Sequence, residues 1–566
     1  MPASYFRQGF LLITAWILAT ASCSYNYAAY SPTGTWKLIV CQPTSELELC
    51  LIRIVAEDNQ QYRATVIAQG VRGLDLVAEK VSKTDKRMTI DIKMGSDVYK
   101  LSVLIPTDRD ANRTELYGSF GRRPDVQFPA ILQKTQEQNI DPKKGAFQSA
   151  ANEAFLAVLK TANLDRQIEL LRDLLKKHSD HPVAIYAGIE LIDRLGDLEG
   201  HTKEIQTLAE AALKLASRHG PALAGQVAWR IGSILLASSK AQGLAYTYLE
   251  RAARILSEEA PASFQVRLYK ALAKAYRASN QAAQAEALFA KIEALERRAD
   301  EEYRREIPPF SVKPVPPRPE PVRPLVLELF TGTQCPPCVA ADVAFDALGQ
   351  TYPESELILL QYHLHIPRAD PLTNPDAINR SEFYQVRGTP TAFLNGKPLP
   401  GLGGPLSLAE ARYKSLMKFI EDQRHNKPLC RIELKVHRQE KNLDIEATVS
   451  DHANLPEKAR LILVLVEGEV RYAAPNGVRF HHHVVRAFPG GLEGISLGKE
   501  RTHHKVRVNL ADLETSLRNY LNDYAREEPF PDDEYPLELR KLKIVALVQD
   551  MESREIFHAV IAQVPE

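Results

Sequence analysis

Cys335 and Cys338 are the residues of this sequence whose types and spacing best suit chemistry, with two prolines between them. They follow a short apolar run of β character at 325–330 and precede a helical pattern at 339–348. A Cys-x-x-Cys pair between a strand and the first turn of a helix brings both sulfurs to one face, where they can form a disulfide. The unpaired amides and the dipole of the helix start favour the thiolate of Cys335 as a nucleophile on a substrate disulfide, and Cys338 would then resolve the mixed disulfide.

Half of a zinc site is the other chemistry open to such a pair. Zinc would need a second Cys-x-x-Cys or histidines at finger spacing, and the sequence has no second pair. We therefore predict dithiol–disulfide exchange with protein substrates, in which the cysteines themselves carry the two electrons and no organic cofactor is required. Turnover would need a redox partner, which we expect to be a membrane protein.

Two segments after the cysteines carry a family resemblance. A second buried strand is expected at 357–362, and the segment 386–396 contains Gly-Thr-Pro-Thr followed by Asn-Gly. Together with the cysteines, these segments resemble the thioredoxin superfamily over about 325–423. The resemblance implies an α/β thioredoxin fold with Cys335 as nucleophile, Cys338 as resolving thiol, and Pro390 as a cis proline facing them. It also implies that Thr389 and Pro390 line the substrate groove.

The sequence departs from this family at two positions. Gln334 stands where an aromatic residue usually precedes the first cysteine. The buried acid of the family lies on the strand before the motif, and Glu328, displaced by one residue, is the only candidate there. Glu328 is expected either to accept the proton of Cys338 or to be a solvated carboxylate at the strand edge.

Several histidines raise the question of a metal site. His363 and His365 would share one face of a strand. The run His481 to His483, with His503 or His504, could provide imidazole ligands for copper or zinc. Successive strand residues point to opposite faces, so three consecutive histidines cannot all bind one ion from a regular strand. We therefore predict surface or packing roles for these histidines and no metal.

The N-terminus resembles an export signal. An apolar run at 9–19 is about half the length of a membrane-spanning helix, and small residues follow it, so 1–22 is predicted to be a signal peptide. Cys23 is a candidate for lipidation, because small residues precede it as in lipoproteins, whereas Ala19-Thr20-Ala21 fits ordinary signal peptidase. The mature protein is expected in the periplasm or cell envelope, with Cys23 as a possible lipid anchor.

Alternating apolar residues between 31 and 135 predict a small antiparallel β domain. Its opening Gly34-x-Trp36 resembles that of lipocalin-like barrels, and Trp36 is expected in the core. Cys41 and Cys50 flank a short polar segment. They would form either a cross-strand disulfide or two buried thiols.

The rest of the chain changes pattern three times. A 3.6-residue period at 146–305, with small and aromatic residues spaced as in tetratricopeptide repeats, predicts paired helices that could bind a protein partner. The eight prolines of 308–324 predict a stiff spacer. After about 428 the period of two returns, and the layout resembles exported thioredoxin-like proteins with an immunoglobulin-like sandwich.

The predicted architecture is thus multidomain, with an all-β N-terminal domain, an all-α region, an α/β thioredoxin fold and an all-β sandwich. Its parts are a signal peptide at 1–22, a β domain at 31–135, a helical tetratricopeptide-like region at 146–305, a Pro-rich linker at 306–324, a thioredoxin-like domain at 325–423 and a β-sandwich at 428–566.

Net charge excludes one class of function. The 71 basic residues equal the 71 acidic ones, so no global positive field attracts nucleic acid. The rival to an oxidoreductase is a scaffold, in which the helical repeats hold a partner and the thioredoxin fold is a binding platform. Most of the length lies outside the redox segment, which is what supports this rival.

Overall fold

A computed structural model describes residues 30–57, 61–95, 97–106, 113–123, 126–143, 145–256, 260–318, 323–498, 502–532 and 535–566. The signal peptide predicted at 1–22 and the candidate lipidation residue Cys23 lie outside these residues. The chain forms two compact units, one comprising residues up to 260 with 271–285, the other 261–270 with 286–566. No helix in the described part of the chain is long and apolar enough to cross a membrane.

The first unit begins with the predicted β domain, which is an antiparallel sheet. Its strands are β1 Gly34–Cys41, β2 Glu46–Ala56, β3 Tyr62–Gln69, β4 Leu76–Lys83, β5 Arg87–Met94, β6 Asp97–Leu104, β7 Glu115–Arg123, β8 Val126–Lys134 and the short β9 Ala146–Phe147. The order β3-β2-β1-β8-β7-β6-β5-β4 and the approach of β3 to β4 curl the sheet into a barrel-like form. Trp36 and Met88 are fully buried in its interior, so the core position predicted for Trp36 is confirmed.

Cys41 and Cys50 are separate buried thiols, so the cross-strand disulfide considered above does not form. The physical reason is the register of the hairpin between β1 and β2. Cys41 pairs with Glu46, whereas Cys50 pairs with Leu38, three residues before Cys41 in β1. The two thiols therefore lie at different levels of the hairpin, beyond the separation that a disulfide spans.

The helical region predicted from the 3.6-residue period is confirmed. Its helices are α1 Ala150–Leu159, α2 Leu164–Lys177, α3 Val183–Leu195, α4 Thr202–Ser217, α5 Pro221–Ala237, α6 Ala245–Ile255, α7 Ala262–Ala278, α8 Ala282–Ala287 and α9 Phe289–Glu306. Small residues let neighbours approach closely: a Cβ placed on Gly232 of α5 would lie 3.1 Å from the backbone nitrogen of Leu249 in α6.

The second unit contains α9 and the remaining strands and helices. The strands are β10 Leu325–Thr331, β11 Leu357–His363, β12 Thr391–Leu394, β13 Lys397–Pro398, β14 Arg431–Gln439, β15 Asn442–Ser450, β16 Ala459–Arg471, β17 Phe480–Ala487, β18 Ile495–Ser496, β19 Thr502–Asn509, β20 Leu542–Asp550 and β21 Ile556–Gln563. The helices are α10 Val339–Thr351, α11 Pro375–Tyr384, α12 Ala409–Gln423 and α13 Leu510–Tyr524.

One mixed sheet runs through most of this unit in the order β13-β12-β10-β11-β17-β16-β20-β21, with β18 beside β16. Strand β11 pairs in parallel with β10 on one side and with β17 on the other. The other pairs of this sheet are antiparallel. A second sheet, β14-β15-β19, shares an apolar core with β16 and β20. The strands after 428 thus form two packed layers, and one layer continues the sheet that contains β10 to β13.

Strand β10 has a different environment on each face. Leu325, Leu327 and Leu329 pack with helices α10 and α12. Val326 and Phe330 pack on the opposite face, with residues of α11 and β16. Because side chains alternate along a strand, Glu328 shares the face of Val326 and Phe330, away from α10.

The Pro-rich segment lies against this unit and is not the free spacer that its composition predicts. Phe310, Val312 and Val315 pack on the core beside α10. The amide of Val315 donates to the carbonyl oxygen of Thr351 at 2.8 Å, and the amide of Arg318 donates to Glu356 at 2.7 Å. Apolar side chains between the prolines explain this attachment, because they bury surface that a purely polar spacer lacks.

Candidate active site

The two cysteines lie at the junction of β10 and α10. A turn closed by a bond from the Cys335 amide to the carbonyl oxygen of Gly332 leads out of the strand, and one turn of 3₁₀ helix, Pro336–Cys338, leads into α10. Cys335 and Cys338 form a disulfide, with 5.3 Å between their Cα atoms. Only 1% of Cys335 and none of Cys338 is exposed, whereas the two prolines between them lie at the surface.

Thr389 and Pro390 lie beside Cys335, and the peptide bond between them is cis. The carbonyl oxygen of Thr389 is 3.7 Å from the Cys335 sulfur. The Thr389 hydroxyl is 3.4 Å from the same sulfur and 3.2 Å from the carbonyl oxygen of Ile366, so its proton can be donated to either. The turn before β12 therefore presents polar backbone and side-chain groups to the nucleophile candidate.

A second loop lies against the same turn. A Cβ placed on Gly403 would be 3.5 Å from Pro390 and 3.6 Å from Pro337. The amide of Gly404 donates to the carbonyl oxygen of Pro337 at 2.7 Å, and the amide of Ala340 donates to the carbonyl oxygen of Gly404 at 3.1 Å. These bonds connect the loop before α12 to the 3₁₀ turn and to the first turn of α10.

The third neighbour is the turn between β16 and β17, residues 474–478, which we call the 474–478 turn. Its Asn476 side chain donates to the carbonyl oxygens of Gly332, at 3.3 Å, and Cys335, at 3.5 Å. The Asn476 amide donates to the carbonyl oxygen of Thr333 at 3.1 Å. The Asn-Gly dipeptide between apolar strands is a turn signal, but it does not show what the turn contacts.

Glu328 is not positioned to accept the proton of Cys338, because it lies on the sheet face opposite α10. It is fully buried and forms an ion pair of 2.8 Å with Arg380 of α11. The hydroxyls of Tyr362 and Tyr384 donate to its two oxygens, at 3.0 Å and 2.5 Å. The other interpretation, a solvated carboxylate at a strand edge, is wrong as well, since Glu328 has no exposed surface.

The carboxyl on the cysteine side of the sheet is Asp342. It lies one helical turn after Cys338 in α10, a spacing that places the two Cβ atoms about 5–6 Å apart. The Thr331 hydroxyl donates to Asp342 at 2.7 Å, and the side-chain amide of Gln361 donates to the same oxygen at 3.3 Å. Burial raises the pKa of Asp342 well above its usual range, against the bond from Thr331, and the charge of Asp346 adds to the rise.

This network continues to the loop in front of the cysteines. The side-chain oxygen Oε1 of Gln361 is 3.2 Å from Nε2 of His363, and Nδ1 of that ring is 2.9 Å from Asp370. Asp370 in turn accepts from the amide of Thr333 at 2.7 Å. Although burial alone would raise the pKa of Asp370, His363 and the backbone donors lower it. A chain of hydrogen-bonding groups therefore runs from Asp342 to the residue two positions before Cys335.

The chain matches no known protein-family model. It matches no curated protein. Among solved structures, HBP35 of Porphyromonas gingivalis is similar at 17% sequence identity, over 44% of this chain and 77% of that one, with a TM-score of 0.32. At that TM-score the similarity assigns neither fold nor function, so the site is interpreted from its own contacts.

We expect Asp342→Asn to stabilise the protein at neutral and alkaline pH. A carboxyl whose pKa is higher in the folded state binds its proton more tightly there, so folding stability falls as pH rises from the unfolded pKa, near 3.8, to the folded one. The amide cannot ionise and removes this loss, worth about 1.4 kcal/mol for each unit of pKa difference. Urea unfolding of both proteins at several pH values measures it. The gain should vanish below about pH 4, and a gain that persists there would contradict this account of Asp342.

The histidines have separate partners. His365 lies 3.0 Å from the hydroxyl of Tyr520, and burial lowers its pKa to about 4. His481 packs against His363, and burial lowers its pKa to about 3. His482 is 3.1 Å from Asp346, which together with Glu469 overcomes burial and raises its pKa to about 10.

Burial also lowers the pKa of His483, to about 3, and His503 lies in the other sheet, 2.9 Å from the Thr448 hydroxyl. Among the described residues, no group of three His, Cys, Asp or Glu side chains is arranged to hold a metal ion.

Gln334 and Cys430 have structural surroundings that give them no role in the chemistry. The side chain of Gln334 donates to the carbonyl oxygen of Ala369 at 2.7 Å, which fixes the position where an aromatic residue was expected. Cys430 is a buried thiol, and burial raises its pKa to about 12. A thiol that does not ionise near neutral pH is a poor nucleophile, so Cys430 takes no part in the site.

Proposed function

We propose that this protein is an exported thiol–disulfide oxidoreductase that acts by dithiol–disulfide exchange on protein substrates, with a thioredoxin-like domain at 325–423 and a β-sandwich after 428 that shares its sheet. The observation that carries the proposal is the Cys335–Cys338 disulfide at the start of α10, with the Cys335 sulfur beside Thr389 and the cis Pro390. A redox pair requires this junction of strand and helix start.

Exchange in the reducing direction begins with the Cys335 thiolate, which the N-terminus of α10 stabilises. It attacks one sulfur of a substrate disulfide, forms a mixed disulfide and releases the first substrate thiolate. The Cys338 thiol then gives its proton to the Asp342 carboxylate, and the Cys338 thiolate attacks the sulfur of Cys335. The second substrate thiolate leaves, the Cys335–Cys338 disulfide forms, and two electrons have passed to the substrate. The same steps in reverse oxidise a substrate dithiol.

Asp342 takes the role that the resemblance gave to Glu328. The pKa of the Asp342 carboxyl is raised and is therefore closer to the pKa of a thiol. Proton transfer from the Cys338 thiol to this carboxylate then costs less free energy. Substrate backbone would lie against the Thr389 carbonyl. Export rests on the pattern at 1–22, and a membrane redox partner would restore the pair after each turnover, without an organic cofactor.

An equilibrium redox titration of the full chain tests this proposal. The pair is equilibrated with dithiothreitol or glutathione buffers, free thiols are alkylated, and the reduced fraction is read by mass. We expect one two-electron transition: a potential near about −270 mV indicates a reductant and one near about −120 mV a disulfide donor. If no buffer poise interconverts the dithiol and the disulfide, the proposal fails.

A partner-binding scaffold is the second candidate, and the observation that favours it is the burial of both sulfurs. In that case the disulfide would only be structural. Structural disulfides have potentials below about −300 mV, so the same titration separates the two functions.

A further inference from the structure

Three segments contact the motif around Cys335, and the 474–478 turn differs from the other two. The loops at 389–390 and 401–404 belong to the segment that contains the cysteines. The 474–478 turn comes from the C-terminal region and bonds only to backbone carbonyls of the motif, through Asn476. Its Pro475 and Gly477 are exposed, so its outer side is free to move toward solvent.

Residues on the strands flanking this turn form a clamp with helix α9. Arg471 donates to Asp300 at 2.5 Å and to Glu296 at 2.8 Å. Arg479 donates to Asp300 at 2.8 Å and also binds Glu296. Lys270 of α7 reaches Glu296 at 2.7 Å.

The clamp is a network of five charged side chains and not a chance surface pair. Arg479 is almost fully buried, so an open turn would leave its charge without these partners. Although burial alone would raise the pKa of Glu296, Lys270 and Arg479 lower it to about 2, so the carboxylate stays ionised. The guanidinium of Arg304, also on α9, lies 3.7 Å from the centre of the Phe480 ring. Helix α9 therefore holds both strand ends that carry the turn.

Exchange requires more access than this arrangement gives. An attacking thiolate must approach the sulfur along the line of the disulfide, and a sulfur that is 1% exposed offers no such approach. Local opening is the route by which buried groups react in folded proteins. The 474–478 turn is joined to the motif through a single residue, Asn476, and its outer side is exposed, so we expect this segment to open first.

We infer that the 474–478 turn is a gate over the redox pair. Asn476 excludes from Cys335 every disulfide whose chain cannot displace it from the carbonyls of Gly332 and Cys335, and the clamp on α9 keeps the gate closed. Asn476 is thus a residue that determines which substrates react, and it acts by access and not by contact with the reacting sulfur. The inference rests on the proposed function for its substrate class, extended protein segments that contain a disulfide.

The gate is tested by the rate at which dithiothreitol reduces the pair in the full-length protein. A dithiothreitol thiolate attacks the Cys335 sulfur and releases the Cys338 thiolate. The second thiol of the reagent then closes its ring and releases Cys335, so the reagent is oxidised as the pair is reduced. We expect Asn476→Ala and Asp300→Asn each to raise this rate about tenfold, the factor by which the loss of one or two ordinary hydrogen bonds raises the population of an open state.

Matched controls lie in the three-stranded sheet of the same unit. Asn442→Ala removes a bond of 3.1 Å with Asn509, and Asp444→Asn removes an exposed partner of Arg507. Both should leave the rate unchanged. The gate is overturned if Asn476→Ala and Asp300→Asn react at the wild-type rate, or if the native wild type reacts as fast as it does in concentrated guanidinium chloride. A pair whose potential lies below about −300 mV fails as a redox pair but is still reduced by excess dithiothreitol, so its reduction rate can still show the gate, and the two failures are distinguishable.

Discussion

Cys335→Ser should remove thiol–disulfide exchange almost completely, by at least about 1,000-fold, because no other described thiol can replace the nucleophile. Cys338→Ser should behave differently. It keeps the attacking thiolate and loses the group that releases the substrate, so it should accumulate a mixed disulfide at Cys335. Reduction of a model protein disulfide measures the first effect, and non-reducing electrophoresis shows the trapped species in the second.

Cys430→Ser is the matched control, since it removes a thiol from the same unit whose pKa burial raises to about 12. It should exchange at the wild-type rate and trap nothing. Retention of more than a tenth of the activity in Cys335→Ser, or an equal loss in Cys430→Ser, would contradict the assignment of the nucleophile.

The second large effect is expected on stability, at the buried ion pair of Glu328 and Arg380. Glu328→Gln preserves the volume of the side chain and leaves the Arg380 charge in the core without its counter-ion. Removing one partner of a buried pair costs about 3–5 kcal/mol. Arg380 also donates to Gln549 of β20, at 2.8 Å, so the loss extends to the C-terminal strands of the sheet.

Urea unfolding followed by far-UV circular dichroism measures this loss. The three tryptophans of the sequence are at 16, 36 and 229, so tryptophan fluorescence reports on the first unit and serves as an internal reference. Glu410→Gln, which removes an exposed partner of Lys414 in the second unit, should change the unfolding free energy little. A loss below about 1 kcal/mol for Glu328→Gln would show that the two tyrosines, not the charge pair, hold this region together.

Short-range patterns predicted the parts of the site that lie close together in the sequence. The disulfide of Cys335 and Cys338 could be predicted from its own motif and the patterns on either side, because a strand end and a helix start fix the geometry of the pair locally. The Gly-Thr-Pro-Thr segment was recognised in the same way. Trp36 was predicted in the β core from the alternation of its strand.

The errors have an equally definite cause. Glu328 was a candidate proton acceptor for Cys338, with a solvated strand-edge carboxylate as the alternative, yet a shift of one residue along a strand reverses the face on which a side chain lies. Asp342 was missed, although a carboxyl within the apolar pattern of 339–348 signals burial on the inner face of a helix. Asn476 is 141 residues from Cys335, and no local pattern indicates which strands pair across that distance.

The shared sheet of the second unit limits where the protein can be truncated. Strand β11 is buried along its whole length and pairs with β10 on one side and β17 on the other. A fragment ending near 423 would leave β11 at an apolar edge with unpaired amides and carbonyls, the feature that drives edge-to-edge aggregation. The C-terminal strands must therefore be kept together with Cys335 and Cys338 in any fusion or domain transplant.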